Sequence, residues 1–122
     1  MWSDTTLYLE AGAQLLGSEE CTDYEVFPVP AGVELRTDME LITQYYLDKP
    51  WPEYRRAMIS AYGEKNIAIL GAEGSVIDGA DCYDPDGEEG FRGPHAISMY
   101  GCEGVELAGY TVLDSANWAH CI

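Results

Sequence analysis

The chain has 122 residues, 47% of them hydrophobic, which suffices for one modest domain with a packed core and argues against disorder. Its 22 Asp and Glu against 6 Lys and Arg give a formal charge of -16, which repels phosphate backbones and anionic membrane surfaces and so excludes nucleic acid as a partner. No run approaches the ~18 apolar residues of a membrane span, and Met1-Trp2-Ser3-Asp4 has neither a basic n-region nor an apolar h-region, so no membrane role and no address is expected of the chain as it stands.

In chain order, Leu7-Tyr8-Leu9 and Leu15-Leu16 read as short strands bracketing Gly12, a first coil near residues 3–17. Residues 18–56 are an excursion with a short helix over Asp38 to Leu47, followed by the proline-bracketed Lys49-Pro50-Trp51-Pro52. A second coil, near 57–79, runs from Ile59-Ser60-Ala61-Tyr62-Gly63 through Ile67, Ile69 and Gly71 to Val76-Ile77-Asp78. Residues 80–92, rich in Pro, Gly and Asp, read as a loop. A third coil, near 95–115, carries Ile97-Ser98-Met99-Tyr100-Gly101, Val105, Leu107, Gly109 and Val112-Leu113-Asp114. The closing Trp118-Ala119-His120-Cys121-Ile122 opens a further copy, because Trp118 stands 23 residues after His95, and the chain stops inside a coil.

The second and third coils match residue for residue at an offset of 38, from Ile59 and Ile97 to Gly71 and Gly109. Their strands are short, alternate in polarity and are punctuated by Gly, Asn, Asp or Ser, which fits β-structure and not helix. Discounting insertions, the unit is about 23 residues with several strands and no intervening helix, the pattern of a β-solenoid. The expected fold is therefore all-β: one domain over 1–122, a truncated right-handed, single-stranded parallel β-helix of about three coils with two loop excursions. Ile67, Ile69, Val105 and Leu107 should stack as one inward column and Val76 with Val112 as another, while Ala68 and Glu106 face out. Gly71 and Gly109 end strands where the chain turns sharply, which suits a residue free to take positive φ. A small β-sandwich stays open, since alternation alone does not set topology.

The four cysteines, Cys21, Cys82, Cys102 and Cys121, lie 61, 20 and 19 positions apart with no C-x-x-C pair. They read as buried free thiols, although three disulfide pairings between coils are open. Asp84, Asp86 and Glu88 alternate like the start of a calcium loop, but Pro85 and the absence of a twelfth-position Glu spoil that pattern, so no metal and no cofactor is expected. Asp78 and Asp114 fall at equivalent places on successive coils, about 5 Å apart if aligned. They read either as a carboxylate pair with one raised pKa or as two caps on turn amides. In the first excursion Tyr45, Tyr46, Trp51 and Tyr54, with Arg55 and Arg56, offer rings for sugar stacking and cations for a carboxylate. The substrate-binding candidates are Trp51, Tyr54, Arg55, Arg92 and Trp118; the competing reading has the aromatics simply covering the coils.

Several phrases in order, Leu7-Tyr8-Leu9-Glu10-Ala11-Gly12-Ala13, Asn66-Ile67-Ala68-Ile69-Leu70-Gly71, Gly74-Ser75-Val76-Ile77-Asp78-Gly79, Arg92-Gly93-Pro94-His95 and Cys102-Glu103-Gly104-Val105-Glu106-Leu107, resemble the early coils of glycoside hydrolase family 28. These are the polygalacturonase-like enzymes of the pectin lyase-like superfamily. The resemblance implies a parallel β-helix, inverting hydrolysis of pectin-type polysaccharide and an extracellular or periplasmic setting. The family's catalytic phrases, Asn-Thr-Asp, Asp-Asp, Gly-His-Gly and Arg-Ile-Lys, are missing, and neither His95 nor His120 stands in such a phrase. Inverting hydrolysis needs two carboxyl groups roughly 6.5–9.5 Å apart across one cleft. No catalytic residue is therefore assigned, and the chain alone is expected to be inactive, a scaffold and partial cleft wall for a polysaccharide or oligosaccharide. A pectic substrate is itself polyanionic, which leaves Arg55, Arg56 and Arg92 as the local cations able to attract it. The alternatives are a non-catalytic β-helix that binds glycans and a calcium-dependent polysaccharide lyase. Cut solenoid ends expose strand edges and apolar columns, so self-association is also expected.

Overall fold

Among the residues that the structure describes, the alternating segments form nine short strands: β1 (Thr6–Leu9), β2 (Gln14–Leu16), β3 (Ala57–Tyr62), β4 (Lys65–Gly71), β5 (Val76–Asp78), β6 (His95–Tyr100), β7 (Glu103–Ala108), β8 (Thr111–Leu113) and β9 (His120–Cys121). The structure is a computed structural model that describes residues 1–24, 56–87 and 90–122. Within them the one helical segment is a 3-10 turn at Cys21–Asp23, and no helix is long and apolar enough to cross a membrane. The expected helix over Asp38 to Leu47 and the Lys49-Pro50-Trp51-Pro52 segment lie outside the described residues.

The strands make three parallel sheets of three, β1-β4-β7, β2-β5-β8 and β3-β6-β9. Each strand pairs with the strand three places along the chain, so the polypeptide visits the sheets in a fixed rotation, a β-helix-like arrangement. The offset of 38 residues is the pairing register itself: Ile59 lies beside Ile97, Tyr62 beside Tyr100, Ile67 beside Val105 and Ile69 beside Leu107. The first copy joins at an offset of 62, with Leu7 beside Ile69 and Leu15 beside Ile77. The last joins at 23, with His120 beside Ile97.

Parallel pairing at equivalent positions places like side chains above one another, and the core follows from that. Leu9, Ile59, Ile67, Ile69, Ile77, Ile97 and Met99 are buried in one cluster, with Leu7, Leu15, Val105, Leu107 and Val112 packed against it. Ala68 and Glu106 pair with each other between the inward positions. Ile67 and Val105 form one inward column and Leu7, Ile69 and Leu107 a second, so the single column expected from the sequence is two. A separate cluster holds Tyr62, Tyr100 and Cys121. The two tyrosine rings stack with centroids 5.6 Å apart and planes 6° from parallel, a contact worth about 0.5–1.5 kcal/mol beyond the area it buries.

One register differs from the sequence reading. Val76 pairs with Thr111 and not Val112; Val112 lies beside Ile77, which is fully buried. The offset here falls to 35 because four residues separate Gly71 from Val76 whereas Tyr110 alone separates Gly109 from Thr111. Asp78 consequently lies beside Leu113, so Asp78 and Asp114 are not equivalent and form no stacked carboxylate pair. Asp78 instead caps its own turn, with Oδ1 accepting from the Ala80 amide at 2.9 Å and Oδ2 accepting from Gln14 Nε2 at 3.0 Å. Asp114 takes a positive φ of 45° just after β8.

The paired strand-end glycines are required for two different reasons. Gly109 has φ +81°, and a Cβ there would stand 2.1 Å from the Gly71 carbonyl oxygen. Gly71 needs no positive φ; a Cβ on it would meet Ser75 Oγ at 2.2 Å and Tyr110 Cβ at 2.8 Å. Close approach of Ser75 in its own turn and of Tyr110 from the neighbouring copy, and not a positive φ, excludes a side chain at Gly71.

Candidate functional site

Arg56, Pro94 and Asn117 occupy one equivalent position in three successive layers, each one residue ahead of the register that pairs Ala57 with His95 and, through Ile97 with His120, His95 with Trp118. That column lies at the entrance to the β3-β6-β9 sheet. The Arg56 carbonyl accepts from the His95 amide at 2.9 Å, and the Trp118 carbonyl accepts from the Ala96 amide at 3.2 Å. Beside it lie the 3-10 turn at Cys21–Asp23 and the stretches 84–87 and 90–93. Between them is a cavity of about 270 Å³ lined by Cys21, Thr22, Arg56, Asp84, Asp86, Gly87, Arg92, Gly93, Pro94 and Asn117.

The walls are fixed by short backbone contacts. The Asp84 amide donates to the Phe91 carbonyl at 3.1 Å, and the Gly87 amide donates to Asp84 at 2.8 Å. Asp84 Oδ1 also accepts from the Asp86 amide at 2.9 Å, so this carboxylate shapes the loop that its alternation with Asp86 had suggested as a calcium site. Among the described residues no three His, Cys, Asp or Glu side chains gather closely enough to hold a metal ion. Gly93 packs so tightly on the strand end below that a Cβ would stand 1.7 Å from the Cys82 carbonyl oxygen.

Three of the chain's six Lys and Arg lie in the described residues, Arg56, Lys65 and Arg92, and two of these three line this one cavity. Lys65 is spent elsewhere, on Glu103 directly across the β4-β7 ladder at 2.9 Å. Arg92 Nη1 donates to Asn117 Oδ1 at 3.2 Å, and Asn117 Nδ2 donates to the Gly93 carbonyl at 3.1 Å, so the amide holds the guanidinium against the wall. Arg56 is held loosely: its Nη1 lies 3.5 Å from the Cys21 carbonyl and 3.8 Å from Asp84 Oδ2, long contacts of small worth. Its buried Nε has no hydrogen-bond partner among the described residues. Two guanidinium groups on the walls of one cavity suit a carboxylate or a vicinal diol.

The substrate-binding residues expected from the sequence divide in three ways. Arg92 is in the cavity. Trp118 is not; it is 46% exposed and sits against the buried His95 ring at 5.9 Å, although its neighbour Asn117 is a lining residue. Trp51, Tyr54 and Arg55 lie outside the described residues, as do Tyr45, Tyr46 and Glu88. Arg56, offered by the sequence as a cation for a carboxylate, does line the cavity, whereas Asn117 is a lining residue that a reading of composition and loops passes over. The signal for Asn117 was the repeat itself, extended by one residue ahead of Ala57, which lands on Arg56, Pro94 and Asn117. His120 is exposed and shares a 2.9 Å hydrogen bond with the Tyr110 hydroxyl, away from the cavity lining. All four cysteines are free: Cys82 and Cys121 are buried, whereas Cys21 and Cys102 are partly exposed, so burial describes only half of them. No protein-family model matches the chain, and neither a curated protein nor a solved structure matches it.

Proposed function

We propose that this chain winds as a right-handed, single-stranded parallel β-helix and is a segment of a polygalacturonase-like glycoside hydrolase, supplying scaffold and part of a cleft wall for a pectin-type polysaccharide. The observation that carries the reading is the convergence of Arg56 and Arg92 on one cavity in a chain of formal charge -16. The cations that a polyanionic substrate requires are scarce in this sequence, and two of the three among the described residues lie at a loop-built recess beside the stacked strands, where solenoid proteins build binding surfaces. The ordered family-like phrases support the same assignment. The chain's own part is recognition: Arg92, held by Asn117, presents a guanidinium to a uronate carboxylate, while Arg56 adjusts to it. Asp84 and Asp86 at the rim set a limit on how much negative charge the recess accepts.

Titration of isotope-labelled protein with an oligogalacturonate and with a neutral oligosaccharide tests this. Amide shifts at Gly93 and Asn117 are expected with the anionic ligand, and Arg92→Gln should abolish them while leaving the remaining spectrum folded. The purified chain should release no reducing sugar from polygalacturonate. Absence of any shift with either oligosaccharide would end the polysaccharide reading, and clear release of reducing ends would end the assignment of a purely supporting role.

A further inference from the structure

The sulfur atoms of Cys21 and Cys82 lie 3.1 Å apart, although 61 positions separate the two residues in the chain. Cys21 Sγ also lies 3.3 Å from the Cys82 carbonyl oxygen, so the thiol is directed at the turn that follows β5. The other two thiols are engaged differently. Cys102 contacts the carbonyls of Ala61 and Tyr100 at 3.5 Å, and Cys121 contacts the Tyr100 hydroxyl at 2.9 Å. Cys21 lines the cavity and is partly exposed; Cys82, 2% exposed, lies behind it.

We propose that Cys21 and Cys82 are a peroxide-oxidisable dithiol, a modification site whose closure into a disulfide bolts the Cys21–Asp23 turn to the turn after β5 at Cys82 and so fixes one wall of the cavity. The two sulfurs take different roles because only one is reachable. The Cys21 thiolate attacks the peroxide, forming an S–O bond as the O–O bond breaks, and the departing hydroxide takes up a proton to become water. The Cys82 sulfur then displaces the hydroxyl of the Cys21 sulfenic acid. An S–S bond forms, the S–O bond breaks, and the hydroxyl leaves as water with the Cys82 proton. Two thiols lose two electrons and one peroxide becomes two waters.

Burial and the contact with Cys21 push the Cys82 thiol up to about 12 from its ordinary 9.0. Cys82 is thus a poor first target for an oxidant and waits as the resolving thiol, so closure should be slow at neutral pH and faster as the pH rises. The mechanical consequence follows from position. The Cys21 carbonyl is an acceptor for Arg56 Nη1, and the bond would span β3, β4 and β5, closing a loop of some 60 residues.

The test needs no ligand and is separate from the polysaccharide reading. The full reduced chain is exposed to hydrogen peroxide, quenched, digested and analysed by mass spectrometry, with thermal melts run in parallel. The expected first product is a peptide joining Cys21 to Cys82, with loss of two of the four thiols. The melt should move up by about 10 °C and return on addition of a dithiol reductant. Cys21→Ser should leave Cys82 reduced under the same exposure, and Cys82→Ser should leave Cys21 as a sulfenic or sulfinic acid. Oxidation reaching Cys102 or Cys121 first would overturn the proposal, as would a Cys21 sulfinic acid without the joined peptide in the unmodified sequence. A joined peptide with an unchanged melt would overturn the bolt.

Discussion

Replacing Ile69 with alanine probes the stacked core at the point where the account is most exposed. Ile69 is fully buried and lies between Leu7 on β1 and Leu107 on β7. The change removes three buried carbons, which at ~0.8 kcal/mol each forfeits about 2.4 kcal/mol of transfer free energy. The space left cannot collapse easily, because the parallel ladders fix the backbones of β1 and β7 on either side. A cavity contribution therefore adds to the transfer loss and brings the expected cost to about 3–4 kcal/mol. Leu70→Ala, one residue along on the same strand, is the control: Leu70 points to the other face and is only partly buried, so its loss should cost about 1 kcal/mol. Urea unfolding followed by far-ultraviolet circular dichroism gives both values. Equal costs, or an Ile69→Ala cost below about 1 kcal/mol, would refute the assignment of inward and outward faces, since a slip of one residue exchanges them.

Two further outcomes follow from specific contacts. Gly109→Ala should destabilise by at least about 2 kcal/mol, through a positive φ and a clash with the Gly71 carbonyl; Gly12→Ala, at φ +70° with nothing within 4 Å of its Cβ, should cost only the conformational part, so comparison of their urea midpoints isolates the layer-to-layer contact. Alkaline stability should fall in a defined window, because burial raises Cys82, Tyr24 and Tyr110 above their ordinary values. Folding favours the protonated form of each, so their contribution is complete below the unfolded values of about 8.5–10 and is lost as the pH climbs through the higher folded ones. Melting temperature of the reduced protein should hold to about pH 8.5 and decline toward pH 12, less steeply in Cys82→Ala; a melt that rises over that range would contradict it.

The repeat was legible because parallel strands at equivalent positions demand like residues, and Ile59 with Ile97 or Tyr62 with Tyr100 are identical pairs at the offset the ladders use. The β5 and β8 register was not legible. Val76-Ile77-Asp78 and Val112-Leu113-Asp114 look alike by letter, but the three-residue difference between the turns before them decides which residues meet, and a turn's length is set by the path its backbone must follow. Asp78 shows the consequence, since its role as a turn cap needs only local geometry whereas a carboxylate pair would have needed the wrong register. The cavity was half legible. Arg56 and Arg92 stood out as scarce cations, but Asn117 became a wall residue only through its column with Arg56 and Pro94. The Cys21 and Cys82 contact had no sequence signal, because a separation of 61 positions gives no spacing rule for thiols brought together by the tertiary fold.

Strands three apart in the chain lie side by side, parallel and in register. Backbone nuclear Overhauser contacts in the labelled protein read this pairing without an intermediary. Cross-peaks should join the Ile67–Ile69 backbone to Val105–Leu107, with Leu7 on the opposite side of Ile69. Cross-peaks that run antiparallel between β4 and β5, as in a hairpin, with none between Ile69 and Leu107, would contradict it.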